Sequence, residues 1–245
     1  MAASEPIGGR VSRVEPSGKG IGRTVVYEGE VKRHNVRVRL IHWMVGLTFL
    51  LALGSGFALF APWLYKWLSP LFGGGAMARL LHPWFGMAFV IAMLFLLAEW
   101  FGVMSWGEAD RRWMRRIRDY VTNTEKVEAD DVGKFNAGQK QWFWAMVASG
   151  GVFLLSGIPL WFPEVFGRTL MWICYFIHDV AALIMLGGFF VHIYESTAGI
   201  PGTLRGMVRG TVTQAWAWTH HPGWYRQITG RDAKADRENA TRLQK

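Results

Sequence analysis

Cysteine is almost missing from these 245 residues: Cys174 stands alone. A single thiol excludes a disulfide framework, an iron–sulfur cluster held by this chain, and the CxxCH pattern that attaches haem covalently. Acidic residues are scarce as well, 18 Asp and Glu against 27 Lys and Arg, for a formal net charge of +9. Charge of either sign is absent from three long runs, Leu40–Tyr65, Leu80–Ala98 and Gln141–Pro163. A fourth run, Thr169–Tyr194, is interrupted only by Asp179. Met1–Val31 lacks the short apolar core and cleavage site of a signal peptide, and its Gly, Ser and charge predict a disordered extension.

What fills the charge-free runs is apolar. Hydrophobic residues make up 51% of the chain, yet the mean hydropathy is only +0.15, so apolar and basic residues are segregated along the sequence. A bilayer core about 30 Å thick needs roughly 20 apolar residues at 1.5 Å each, and all four runs reach that length. The expected fold class is all-α, a four-helix transmembrane bundle with spans near 41–62, 81–104, 141–162 and 172–195. Residues 1–36 form an extension, 37–200 the four-span domain and 201–245 a polar, aromatic tail. Pro70 and Gly73-Gly74-Gly75 exclude regular helix through the loop 63–80. Trp43, Trp63, Trp84, Trp100, Trp142, Trp161 and Trp172 fall near span ends, as an interfacial aromatic belt requires.

The placement of the basic residues gives the topology. Eight precede the first span, eight lie between spans two and three, and eight follow span four, while the other two loops hold only Lys66, Arg79 and Arg168. This positive-inside pattern places both termini of a multi-pass protein in the cytoplasm. The basicity is topological, and no nucleic-acid partner is implied. The stretch Arg111-Arg112-Trp113-Met114-Arg115-Arg116 fits a helix lying on lipid headgroups and a docking surface for a partner subunit equally well.

Four of the seven histidines, His42, His82, His178 and His192, sit in the spans. A lone span-end histidine is ordinarily one that bonds a headgroup or a carbonyl, so the four must be judged by geometry. With the orientation fixed, His42 and His192 lie near the cytoplasmic face, and His82 and His178 in the outer half. Two histidines from different helices at equal depth are what a low-spin haem iron needs for its axial ligands. His178 and His192 are 14 residues apart, a rise of about 21 Å and a turn only about 40° short of four revolutions. Both imidazoles therefore leave one helix face at well-separated depths, which suits two stacked b-type haems and no single metal site. One turn toward the bilayer centre from each histidine stand Gly46, Gly86, Ala182 and Gly188, small residues that leave room for a flat macrocycle. Glycine and alanine also serve helix packing in lipid, so this sign carries little weight alone. Zinc or copper would require more ligands at each depth than Glu99, Asp179 and Glu195 supply.

From about Arg37 to Arg226 the chain resembles the cytochrome b (gamma) subunit of respiratory, membrane-bound formate dehydrogenase. The motifs are Arg39-Leu40-Ile41-His42-Trp43 and Leu81-His82-Pro83-Trp84-Phe85-Gly86, then Asp131-Val132-Gly133-Lys134-Phe135-Asn136-Ala137-Gly138-Gln139-Lys140, then His220-His221-Pro222-Gly223-Trp224-Tyr225-Arg226. The last two strings are specific; the first is shared with cytochrome b subunits of hydrogenases and other oxidoreductases. The resemblance implies that His42, His82, His178 and His192 are the haem-iron ligands. It also implies a quinone pocket lined by Asn136, Gly138 and Gln139 and approached by His192. The residues by themselves favour Asn136 as the N-cap of span three. The implied protein has no catalytic residues of its own. It takes electrons from an iron–sulfur (beta) subunit, itself served by a catalytic (alpha) formate dehydrogenase subunit, and passes them to quinone on the cytoplasmic side.

Two alternatives stand beside this reading. One keeps the haems and changes the partner to a hydrogenase or another oxidoreductase. The other is a haem-free transporter or anchor subunit whose histidines relay protons. His34, His220 and His221 lie outside the spans and are assigned no metal, and their Pro and Trp neighbours suggest a fixed tail. Asp179 reads as a carboxylate at headgroup level, and Arg39 equally as a topogenic charge or a partner for a haem propionate.

Overall fold

The computed structural model describes residues 11–15, 24–27, 29–118, 132–236 and 238. Asp131 and residues 1–10, 16–23 and 28 of the extension lie outside this set. The chain folds into two compact units, each assembled from separate stretches. One comprises residues 37–100 and 143–193, the other residues 1–36, 101–142 and 194–245.

The first unit is helical. Its long helices are α1 (Val36–Phe60), α3 (Gly75–Trp100), α5 (Ala137–Trp161) and α6 (Arg168–Tyr194), and all four are long and apolar enough to cross a membrane. In lipid the backbone must satisfy its own hydrogen bonds, which selects helix for any such run. The hydroxyls obey the same rule: Thr48, Ser55 and Ser156 donate to the carbonyls of Met44, Leu51 and Val152 one turn earlier. Phe49 of α1 is buried between Phe89 of α3 and Phe189 of α6, with ring centroids 5.8 and 5.4 Å away. The outward faces stay apolar, with Leu47, Phe95, Ile184 and Phe190 exposed, as expected where lipid is the solvent.

The helices begin earlier than the charge-free runs because Arg37, Arg39 and Arg79 occupy early turns of α1 and α3. Arg37 pairs with Glu99 of α3 at 2.7 Å. The loop after α1 is more regular than expected. A short helix, α2 (Pro62–Leu68), opens on Pro62 and is followed by a 3-10 turn over Ser69–Phe72. Pro70 stands beyond the end of α2 and Gly75 already begins α3, so regular α-helix is excluded only over residues 69–74 of the loop. Gly73 and Gly74, at φ 82° and 99°, then reverse the chain into α3.

The second unit mixes a sheet with short helices. Strands β1 (Val11–Glu15), β2 (Thr24–Tyr27), β3 (Glu30–Lys32) and β4 (Thr211–Thr213) pair antiparallel in that order. These strands correct the expectation of disorder for part of the extension. Val31 of β3 sits opposite Val212 of β4, and both are fully buried. The unit also holds α4 (Glu108–Arg115), α7 (Thr203–Val208), α8 (Gln214–His220) and α9 (Pro222–Thr229). Thr213 caps α8 by accepting from the Trp216 N–H at 3.1 Å. Pro222 opens α9, and Gly230 closes it at φ 68°. Trp216, Ala217, Trp224, Tyr225, Ile228 and Ala233 complete the core around the two valines.

Arg33 and His221 tie three distant stretches of this unit together. The Arg33 guanidinium is buried over the rings of Trp216 and Trp224, 4.6 and 5.1 Å from their centroids. It donates to the Lys134 carbonyl at 2.8 Å and to His221 Nε2 at 3.2 Å. His221 Nδ1 in turn donates to the Gly133 carbonyl at 2.7 Å, and the Trp224 N–H donates to the Val132 carbonyl at 3.1 Å. The Gly133–Lys140 string and the His220–Arg226 string, far apart in sequence, are thus in direct contact.

Burial and the neighbouring Arg33 charge hold the His221 imidazole well below its ordinary value of 6.5. Its folded pKa is therefore depressed, and the unfolded chain takes up the proton first as pH falls. The stability it confers is intact above about pH 6.5 and is lost at lower pH, by at most about 1.4 kcal/mol per pH unit. Unfolding of the purified protein followed between pH 7.5 and 5 should show this slope, and His221→Gln should flatten it.

Candidate functional site

The helices bring the four span histidines together in two pairs. His82 of α3 faces His178 of α6 with ring centroids 6.1 Å apart and planes at 67°. His42 of α1 faces His192 of α6, also at 6.1 Å, with planes at 48°. The first pair joins the starts of two helices and the second joins a start to an end, so α3 runs parallel to α6 and α1 antiparallel to it. A nitrogen–iron–nitrogen bridge with metal–nitrogen bonds of about 2.0 Å sets two imidazole centres roughly 6 Å apart. Both separations match that spacing.

The residues around the pairs pass the same test. A Cβ built on Gly46 or Gly86, one turn beyond His42 and His82, would meet nothing within 4 Å, so open space lies beside both helices. His82 Nδ1 lies 3.0 Å from Ser55 Oγ and 3.1 Å from the Ala52 carbonyl. A carbonyl only accepts, so Nδ1 carries the proton and Nε2 keeps its lone pair for a metal. His178 Nδ1 lies 2.9 Å from Ser156 Oγ, whose own proton is spent on the Val152 carbonyl at 2.6 Å, so His178 has the same tautomer. His42 Nδ1 is buried without a hydrogen-bond partner among the described residues.

The glycine after Ser55 matters sterically. A Cβ on Gly56 would stand 3.0 Å from His82 Cε1, and the ring it meets is pinned by two hydrogen bonds. Gly56→Ala should therefore displace the imidazole and weaken retention of any group bound there. Haem content and absorbance of the purified variant read this directly, and unchanged values would show that the ring yields freely.

The other predicted residues lie in the second unit. Asn136 N-caps α5, and Gln139 completes a reciprocal box. The Gln139 N–H donates to Asn136 Oδ1 at 2.8 Å, and the Asn136 N–H donates to Gln139 Oε1 at 3.1 Å. The cap expected from the residues themselves is present. It uses both side-chain oxygens and neither side-chain NH2 group. Gly138 lies under Trp113 of α4, where an added Cβ would come within 3.2 Å of the indole. A cavity of about 260 Å³ adjoins Asn136, lined also by Trp106, Asp110, Trp113, Gly133 and Lys140. In its wall the Lys140 ammonium donates to Asp110 Oδ2 at 2.7 Å and to the Ser105 carbonyl at 2.9 Å. Asp110 Oδ2 also accepts the Gly107 N–H at 2.8 Å. Asp179 is half-buried on α6 beside His178.

A family model for prokaryotic cytochrome b561 matches residues 33–210. The chain belongs to the prokaryotic cytochrome b561 family. As a member of it, the chain is an integral membrane electron-transfer protein built for b-type haem. Among curated relatives, it is 34% identical over 203 residues to the cytochrome b556(Fdn) subunit of the nitrate-inducible formate dehydrogenase of Escherichia coli (strain K12), covering 82% of this chain and 92% of that protein. It is 32% identical over 201 residues to the cytochrome b556(fdo) subunit of formate dehydrogenase from the same organism, covering 81% and 93%. The formate dehydrogenase cytochrome b556 subunit of Haemophilus influenzae matches at 32% over 198 residues, covering 80% and 82%.

Sequence reasoning missed Ser55, Ser156, Arg33 and the Asp110–Lys140 pair. The sequence alone does not separate the two serines from Ser149, which is likewise a hydroxyl within an apolar span followed by glycine.

Proposed function

We propose that the chain is the membrane cytochrome b subunit of a formate dehydrogenase complex, with one haem b held by His82 and His178 and a second by His42 and His192. The observation that carries the proposal is the pair of imidazole couples, each with centroids 6.1 Å apart, about 21 Å of helix rise apart on α6. The haems supply reversible one-electron transfer, and the chain's own part is to fix the imidazoles and exclude water around them. Electrons enter from a partner iron–sulfur subunit at the His82–His178 side and leave to quinone at the His42–His192 side. The positive-inside distribution of Lys and Arg supports a cytoplasmic position for that second side and for both termini.

For the quinone, the NH2 groups of Asn136 and Gln139, which their capping bonds do not use, are the donors a quinone carbonyl requires. The cavity beside Asn136 offers space for a ring. Each electron moved inward against an inside-negative potential costs about 2.3 kcal/mol per 100 mV, so turnover on this orientation stores membrane potential.

Haem content and electron donor test the proposal together. The purified chain should carry two haems b, and formate added to membranes holding the complex should reduce both. A colourless chain from haem-replete cells would end it. Reduction by hydrogen but not by formate would move the chain to a hydrogenase.

A further inference from the structure

Both ligands of one haem site, His82 and His178, hydrogen-bond through Nδ1 to a serine on a neighbouring helix. Ser55 of α1 holds His82, and Ser156 of α5 holds His178. Each serine donates its own proton to a carbonyl one turn back, Leu51 at 2.7 Å or Val152 at 2.6 Å. That bond aims the oxygen lone pairs at the imidazole N–H. Each serine is also followed by a glycine facing the same ring, where an added Cβ would lie 3.0 Å from His82 Cε1 at Gly56 and 3.7 Å from His178 Cε1 at Gly157. Back-bonding serines are common in apolar helices. Two Ser-Gly steps on different helices, each accepting from an imidazole of the same couple, go beyond that habit. At the second couple, His42 Nδ1 has no such partner among the described residues.

An imidazole that donates from Nδ1 is the more electron-rich at Nε2, and such outer hydrogen bonds raise ligand basicity. A more basic axial ligand favours ferric over ferrous iron and lowers the reduction potential. We propose that Ser55 and Ser156 are positioning residues that set the potential of the haem held by His82 and His178 below that of the haem held by His42 and His192. The inference rests on the ligand pairs proposed above and adds a direction to them. Electrons entering at the lower-potential haem run downhill toward the quinone side, which offsets part of the opposing membrane potential.

A spectroelectrochemical titration of the purified, haem-loaded chain at its α band tests this. The wild type should titrate as two one-electron components, and His178→Leu should remove the lower one. Ser156→Ala should shift the reduced-to-oxidised ratio of that lower component about tenfold toward reduced, a rise of about 59 mV for one electron. Ser55→Ala should shift it the same way by less, because His82 Nδ1 keeps the Ala52 carbonyl at 3.1 Å, and both should leave the upper component in place. Ser55→Thr and Ser156→Thr, which keep the hydroxyl, should restore the wild-type value. The low-spin EPR signal of the lower component should move in step with the potential. If an alanine variant loses its haem, serine-to-cysteine takes its place, since a thiol is a weak acceptor. Unmoved potentials in the alanine or cysteine variants overturn the proposal, as does removal of the upper component by His178→Leu. A single component with the amplitude of two haems in the wild type also overturns it, whereas a single component with the amplitude of one haem would instead defeat the two-haem reading beneath it.

Discussion

Replacing His178 with leucine should lower the haem content of the purified chain from two to one and abolish formate-dependent quinone reduction. Leucine fills much of the imidazole volume and offers no lone pair, so a haem iron held with His82 would be left with a single protein ligand. The cost to folding is small by comparison. Ser156 keeps its bond to the Val152 carbonyl and loses only the bond to the ring, worth about 1 kcal/mol. A difference spectrum with half the wild-type α-band amplitude, on a protein that still purifies intact, is the expected result. His192→Leu should remove the other half, and His220→Gln, outside the spans, should remove nothing. Two haems retained in His178→Leu would break the pairing.

Lys140→Met should destabilise the second unit by about 3–5 kcal/mol, because breaking one half of a buried ion pair leaves the other half charged and desolvated. The side chains of Lys140 and Asp110 are only 12% and 7% exposed, so solvent screens the pair weakly. The loss extends beyond the pair, since the Ser105 carbonyl also gives up its Lys140 donor. Water in the adjoining cavity can solvate the stranded carboxylate and pulls the effect toward the lower figure. The double variant Lys140→Met/Asp110→Asn removes the stranded charge and should recover most of the loss. Thermal unfolding followed by tryptophan emission serves as the assay, with Trp106 and Trp113 in the same cavity wall. A single variant that melts like the wild type would show that the pair is solvated in spite of its burial.

The spans and the histidine pairs were legible because they depend on few variables. Charge exclusion from lipid marks the runs, and a fixed rise per residue then sets which histidines share a depth. The serines that hold His82 and His178 were not legible. A serine in an apolar helix bonds its own backbone wherever it sits, and only the rotation of α1 and α5 decides which hydroxyl faces an imidazole. Arg33 was hidden for another reason: the topological reading accounts for any arginine ahead of the first span, whether it ends in water or under two tryptophans. Strand β3 spans only Glu30–Lys32, too short for alternation to register, and its partner β4 lies near residue 212. Asn136 shows a further limit, for one residue can cap a helix with its oxygen and still offer its NH2 group to a ligand.

The joining of Arg33, Gly133 and His221 also bears on how the protein is made. A chain emerging from the ribosome presents Arg33 first and His221 last, with all four apolar helices synthesised between them. The segment around Asn136 therefore receives its final support only after membrane insertion has run its course. A nascent chain stalled before Trp216 would already own both imidazole couples, yet the backbone that presents Asn136 would still await Trp224 and His221. Any ligand that this segment takes up would therefore meet its finished backbone only in chains extended past Trp224.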